Sequence, residues 1–148
     1  MITTRSIRRV LMALVPNLVP MLAVLAALGA LGIPLKPTTA MGFSIGLGIA
    51  VADTIHFLAA YERWRLAHPD APGEDAVLHA YRTAGRSMVD TSVVLVAGHL
   101  AVLASEFQGF WYLGLLTAWS VVMALFTDLL LMGPLMLWLD DRLIRKQG

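Results

Sequence analysis

Apolar residues gather along this chain into four long stretches, Val10 to Leu35, Thr38 to Tyr61, Ser87 to Ser105 and Phe110 to Leu139. Each reaches the ~20 residues that a ~30 Å hydrocarbon layer demands, so the pattern predicts four membrane-spanning helices. Gly32, Pro34 and Pro37 stop the first and start the second through a short turn, which makes the two neighbours. The connection around Glu106 to Gly109 is equally short and makes an antiparallel hairpin of the third and fourth. Only Glu62 to Arg86 forms a long connection, polar at first and broken by Pro69 and Pro72. Within it Val77, Ala80, Tyr81 and Ala84 recur at helical spacing opposite Asp75, His79 and Arg82. That predicts a short helix from Glu74 to Ala84 lying on the membrane surface, with a solvated loop containing a helical turn as the alternative. The expected fold is all-α: one polytopic transmembrane domain over residues 1–148, with four transmembrane helices and a short cytoplasmic interfacial helix.

The first stretch follows Arg5, Arg8 and Arg9, as a signal peptide would. Its apolar run is about twice the length of a signal core and contains Pro16 and Pro20, which favours a spanning helix kinked or started late at its prolines.

Composition agrees with a membrane protein. Apolar residues make up 58% of the chain and charged residues 14%, outside the usual make-up of soluble domains. The net charge of +1 is small and dispersed, which sets nucleic acid aside. With no cysteine there is neither a disulfide nor a thiolate metal site. Lysine and arginine sort by side. Three precede the first stretch, four lie between the second and third and three follow the fourth, against Lys36 alone on the other side. The bias predicts cytoplasmic termini and a cytoplasmic long loop, in an inner (plasma) membrane. Tyr61, Trp64 and Trp138 fall at that interface, and Trp111 with Tyr112 at the opposite one.

Against this background the polar residues within the spans carry the candidate chemistry. An ionised side chain at bilayer depth costs ~2.5–3.5 kcal/mol on the insertion scale, so such residues normally face protein or water. At 1.5 Å per residue, Asp53 lies ~12 Å in from Tyr61 and Asp128 ~16 Å in from Leu139, at similar levels. The second and fourth helices are therefore able to bring the two carboxylates together or to one water-filled crevice. His56 follows Asp53 by three residues on nearly the same helical face, and a carboxylate beside an imidazole suits a group that takes up and releases protons. His99 lies near mid-membrane, either as a relay member or as a hydrogen-bonded interior histidine. Asp90 is one turn from a helix end, within reach of Arg86 or water, and reads as structural. Gly42, Gly46 and Ala50 continue the Asp53 face as a small-residue strip, a packing surface for another helix. Asp-x-x-His is also metal-ligand spacing, but two residues on one helix with no further ligand cluster do not make a metal site. No phosphate loop or nucleophile motif is present, so nothing points to an enzyme or a cofactor.

The run Gly48-Ile-Ala-Val-Ala-Asp53-Thr-Ile-His56-Phe-Leu resembles the polar fourth helix of a six-helix repeat in resistance-nodulation-division transporters, closest to the mycobacterial-membrane-protein-large type. Pro16-Asn-Leu-Val-Pro20, Gly32-Ile-Pro34-Leu, Gly85-Arg, Thr91-Ser92 and Asp128-Leu-Leu-Leu-Met-Gly-Pro134 are similar to that family's features in order and spacing. The resemblance implies helices three to six of one repeat, proton-driven export of hydrophobic or lipid-like molecules, and Asp53 as the coupling carboxylate. It also implies partners: the bilayer, the remaining helices and extracytoplasmic domain or a second polypeptide, and an oligomer. Ala52 stands where similar exporters carry a second carboxylate. The alternative is a non-transporting, sterol-sensing-like module that binds lipid or scaffolds a partner.

Overall fold

The computed structural model describes residues 15–34 and 36–144, with side chains through Asp140. The start of the first apolar stretch, the basic residues Arg5, Arg8 and Arg9, Leu35, and Arg145 with Lys146 lie outside the described residues. The described residues are 90% helix, with no strand. Helix α1 covers Val15–Ala30, α2 Pro37–Ala67, α3 Gly73–Ala80, α4 Arg86–Ala101 and α5 Gln108–Ile144. A π-helical turn, Tyr81–Gly85, joins α3 to α4, and a 3₁₀ turn, Val102–Ala104, extends α4.

Local chemistry explains the ends of these helices. Gly32, at φ 61°, takes the left-handed position that closes α1. The Ile33 N–H then reaches back to the Leu28 carbonyl at 3.0 Å, and the two side chains meet in one apolar cluster, as in a Schellman cap. Pro37 occupies the first turn of α2, where its missing N–H costs nothing, and the Thr39 hydroxyl accepts the Lys36 N–H at 2.8 Å. At its far end α2 runs on past Tyr61 to Ala67 before Pro69 and Pro72 prevent its continuation.

The third expected element differs from the structure. The surface helix over Glu74 to Ala84 and the third span are one continuous helical rod, Gly73–Ala104, interrupted only by the π turn. Ala76, Val77 and Ala80 do not face a lipid surface; they are buried in a core with Phe57, Tyr61, Met88, Met132, Met136 and Leu139. The apolar stripe is the same, but the ends of α2 and α5 supply a protein surface for it. The long connection of Glu62 to Arg86 thereby contracts to the few residues around His68–Pro72.

Three helical rods, Pro37–Ala67, Gly73–Ala104 and Gln108–Asp140, are long and apolar enough to cross a membrane, and the described part of α1 is a shorter apolar helix. This is the architecture of a helical membrane protein. α5 is the central element and packs on α1, α2 and α4. On α2 the buried positions Gly42, Gly46, Ala50, Thr54, Phe57 and Tyr61 recur every three or four residues, and on α5 Thr117, Ser120, Val121, Ala124, Thr127 and Asp128 do the same. A side chain at Gly42 would press on the Thr117 hydroxyl at 3.1 Å, and one at Gly46 would collide with Ser120. Glycine at these positions is what lets the two backbones approach.

Candidate functional site

Two apolar cores, one around Val24, Leu28 and Leu116 and the other around Phe57, Tyr61 and Met132, hold apart a polar layer in the middle of the bundle. In it Asn17 of α1, Thr54 of α2 and Asp128 of α5 form a single chain of hydrogen bonds. Asn17 Nδ2 donates to Thr54 Oγ1 at 3.1 Å, and the Thr54 hydroxyl donates to Asp128 Oδ1 at 3.1 Å. Asn17 Oδ1 lies 3.3 Å from the same hydroxyl, so Thr54 has a second acceptor within reach. Asp128 is 1% exposed, and its Oδ2 is buried with no hydrogen-bond partner among the described residues.

Asp53 is in a different setting. It precedes Thr54 in α2 but turns toward a crevice of about 430 Å³ between α2 and the α3–α4 rod, which it lines with Ala52, His56, Arg63, Ser87 and Thr91. Its side chain is 8% exposed and makes no hydrogen bond among the described residues. His56, three residues on, is exposed on the same wall. Asp53 is adjacent in sequence to Thr54, whose hydroxyl donates to Asp128. The crevice therefore combines a largely buried acid, an exposed imidazole and hydroxyl groups, an arrangement able to take up and hand on a proton.

Of the four residues with candidate proton chemistry, the structure brings three together. Asp53 and His56 share the crevice, and Asp128 sits behind Asp53 through Thr54. His99 does not join them. It is half-buried, does not line the crevice, and its Nδ1 lies 2.7 Å from the Leu95 carbonyl one turn earlier in its own helix. Asp90 is exposed, and no ion pair links it to Arg86 among the described residues. Gly42 and Gly46 lie against Thr117 and Ser120 of α5, and Ala50 is buried one turn further along the same strip.

The reading of the sequence missed Asn17 and Thr54. Asn17 was open to detection, as a polar side chain between Pro16 and Pro20 in an otherwise apolar stretch. Thr54 was not, because threonine is at home in an apolar helix and only the facing Asp128 gives it a role. A third cluster also escaped. The Tyr61 hydroxyl donates to Asp140, Arg65 Nε lies 3.4 Å from Asp140 Oδ2, and Arg65 donates to the Ala71 carbonyl at 2.5 Å. These contacts clamp the ends of α2 and α5 to the short connection.

No group of three or more histidine, cysteine or acidic side chains is placed to hold a metal among the described residues. No family model, curated protein or solved structure matches this chain.

Proposed function

We propose that this chain is the transmembrane portion of a proton-coupled exporter of hydrophobic or lipid-like molecules, of the resistance-nodulation-division type, acting with further helices and an extracytoplasmic domain or with a second polypeptide. Asp53 is the coupling carboxylate. His56 is the titratable group beside it on the crevice wall, and Asp128 is a second acid held behind it by Thr54. The observation that carries this reading is the placement of Asp53, an acid within a spanning helix that lines a crevice and has no hydrogen bond among the described residues to satisfy it. A carboxylate so placed is freer to change charge than one locked in a network. A transmembrane potential supplies ~2.3 kcal/mol per charge per 100 mV, enough to bias such a group. The short-loop asymmetry of lysine and arginine supports an orientation in which the crevice end with Arg63 faces the cytoplasm.

The test is Asp53→Asn in the assembled transporter, with efflux measured under an imposed proton gradient. Gradient-dependent efflux is expected to disappear. Unchanged efflux would remove Asp53 from the mechanism. Lipid binding that persists in Asp53→Asn and does not change with pH would favour the sterol-sensing-like alternative, which the apolar Ala52 on the crevice wall also suits.

A further inference from the structure

We propose that Tyr81 is a latch on a hinge in α5, its hydroxyl standing in for backbone hydrogen bonding where Gly133 and Pro134 weaken the helix just beyond Asp128. The Tyr81 hydroxyl donates to the Leu129 carbonyl at 2.6 Å and accepts the Gly133 N–H at 3.1 Å. In an unbroken α-helix those two backbone groups pair with each other, at i and i−4. The next rung is missing altogether, because Pro134 has no N–H to offer the Leu130 carbonyl. One rung of α5 is thus missing, and at the rung beside it a side chain from another helix bonds both backbone groups. Within a bilayer no bulk water is present to satisfy freed backbone groups, so a neighbouring helix must do so.

The surroundings are fitted to this contact. A Cβ on Gly133 would lie 2.5 Å from the Tyr81 hydroxyl oxygen, so only glycine admits the hydroxyl this close to the backbone. The Tyr81 ring is held edge-on against Phe57 at 5.0 Å, and Tyr81 is the first residue of the π turn. Such turns occur frequently at functional sites. Beyond the hinge, the distal part of α5 is tied at Asp140 to Tyr61 and Arg65. On the near side Leu129 directly follows Asp128. The half of α5 that carries the buried acid and the half tied at Asp140 to the end of α2 therefore meet at the one point that Tyr81 pins. With the hydroxyl engaged, α5 moves as one rod; with it released, the distal half pivots at Gly133–Pro134. This device is independent of whether Asp53 carries protons.

Amide hydrogen exchange on the full chain in lipid nanodiscs tests it. Tyr81→Phe is expected to speed exchange over residues 133–140 by about tenfold, the effect of one lost hydrogen bond, and to leave residues 110–127 unchanged. Adding Pro134→Ala restores the donor for the Leu130 carbonyl and is expected to return exchange to its original rate. Unchanged exchange in Tyr81→Phe, an equal rise along all of α5, or failure of Pro134→Ala to rescue would each overturn the latch. Should Tyr81→Phe fail to fold, Pro134→Ala alone decides the matter: slower exchange over 133–140 supports the hinge, and no change refutes it.

Discussion

Asp53 and Asp128 occupy facing helices at the same level of the bundle, yet their surroundings differ in kind. Asp128 is sealed in the α1–α2–α5 contact, reached by Thr54 and, through it, by Asn17. Asp53 is one residue from Thr54 but a quarter-turn or so around α2, about 100° on helical geometry, and that rotation delivers it to the crevice instead. Depth and residue type are equal for the two acids. What separates them is which neighbouring helix each one meets, so a buried acid in a membrane helix has to be assigned by its partners rather than by its position along the span.

The sharpest way to break this contrast uses the absence of native cysteine. Single cysteines at Asp53 or Ala52 are expected to react with a water-soluble maleimide, whereas one at Asp128 stays unlabelled over the same time, read by mass shift. Labelling at all three, or at Asp128 alone, would erase the distinction. Next in size is the network itself. Thr54→Val keeps the shape of the side chain but removes the hydroxyl that donates to Asp128 Oδ1 and accepts from Asn17, and is expected to cost about 1–3 kcal/mol. Thr54→Ser, which keeps the hydroxyl, is expected to stay near the original stability in reversible unfolding by denaturing detergent. The smallest effect compares two matched substitutions. Asp128→Leu forces a larger side chain into a packed contact and is expected to lose about 1–3 kcal/mol. Asp53→Leu, facing the crevice, is expected to lose less, because the added bulk enters open space. Equal losses would show that the crevice does not exist in the folded protein.

Much of the bundle was legible before any coordinates. The second and fourth apolar stretches correspond to α2 and the apolar length of α5, because proline, glycine and the loss of hydrophobicity mark their ends chemically. The surface helix was misread for an identifiable reason. Val77, Ala80 and Ala84 form an amphipathic stripe, and such a stripe packs equally well on lipid headgroups or on protein. The choice was made by the ends of α2 and α5, which pack on the stripe although α5 is distant from it in sequence. Gly42 and Gly46 were readable as a packing strip since small residues every four positions have few other uses in a spanning helix. His99 was not readable: the Leu95 carbonyl satisfies it locally, and nothing in its neighbours along the chain distinguishes that outcome from a relay.

From its residues alone, the chain determined that it would be helical, that it would favour a membrane, and that Asp53, His56 and Asp128 would lie at one level, because helical rise and hydrophobic length are properties of local sequence. The tertiary structure decided which of these acids is sealed and which is open, placed Thr54 between α1 and α5, and set the Tyr81 hydroxyl against α5. Those outcomes depend on the rotation and separation of helices joined through 37 to 74 residues of chain, a long-range geometry that no short window of sequence encodes.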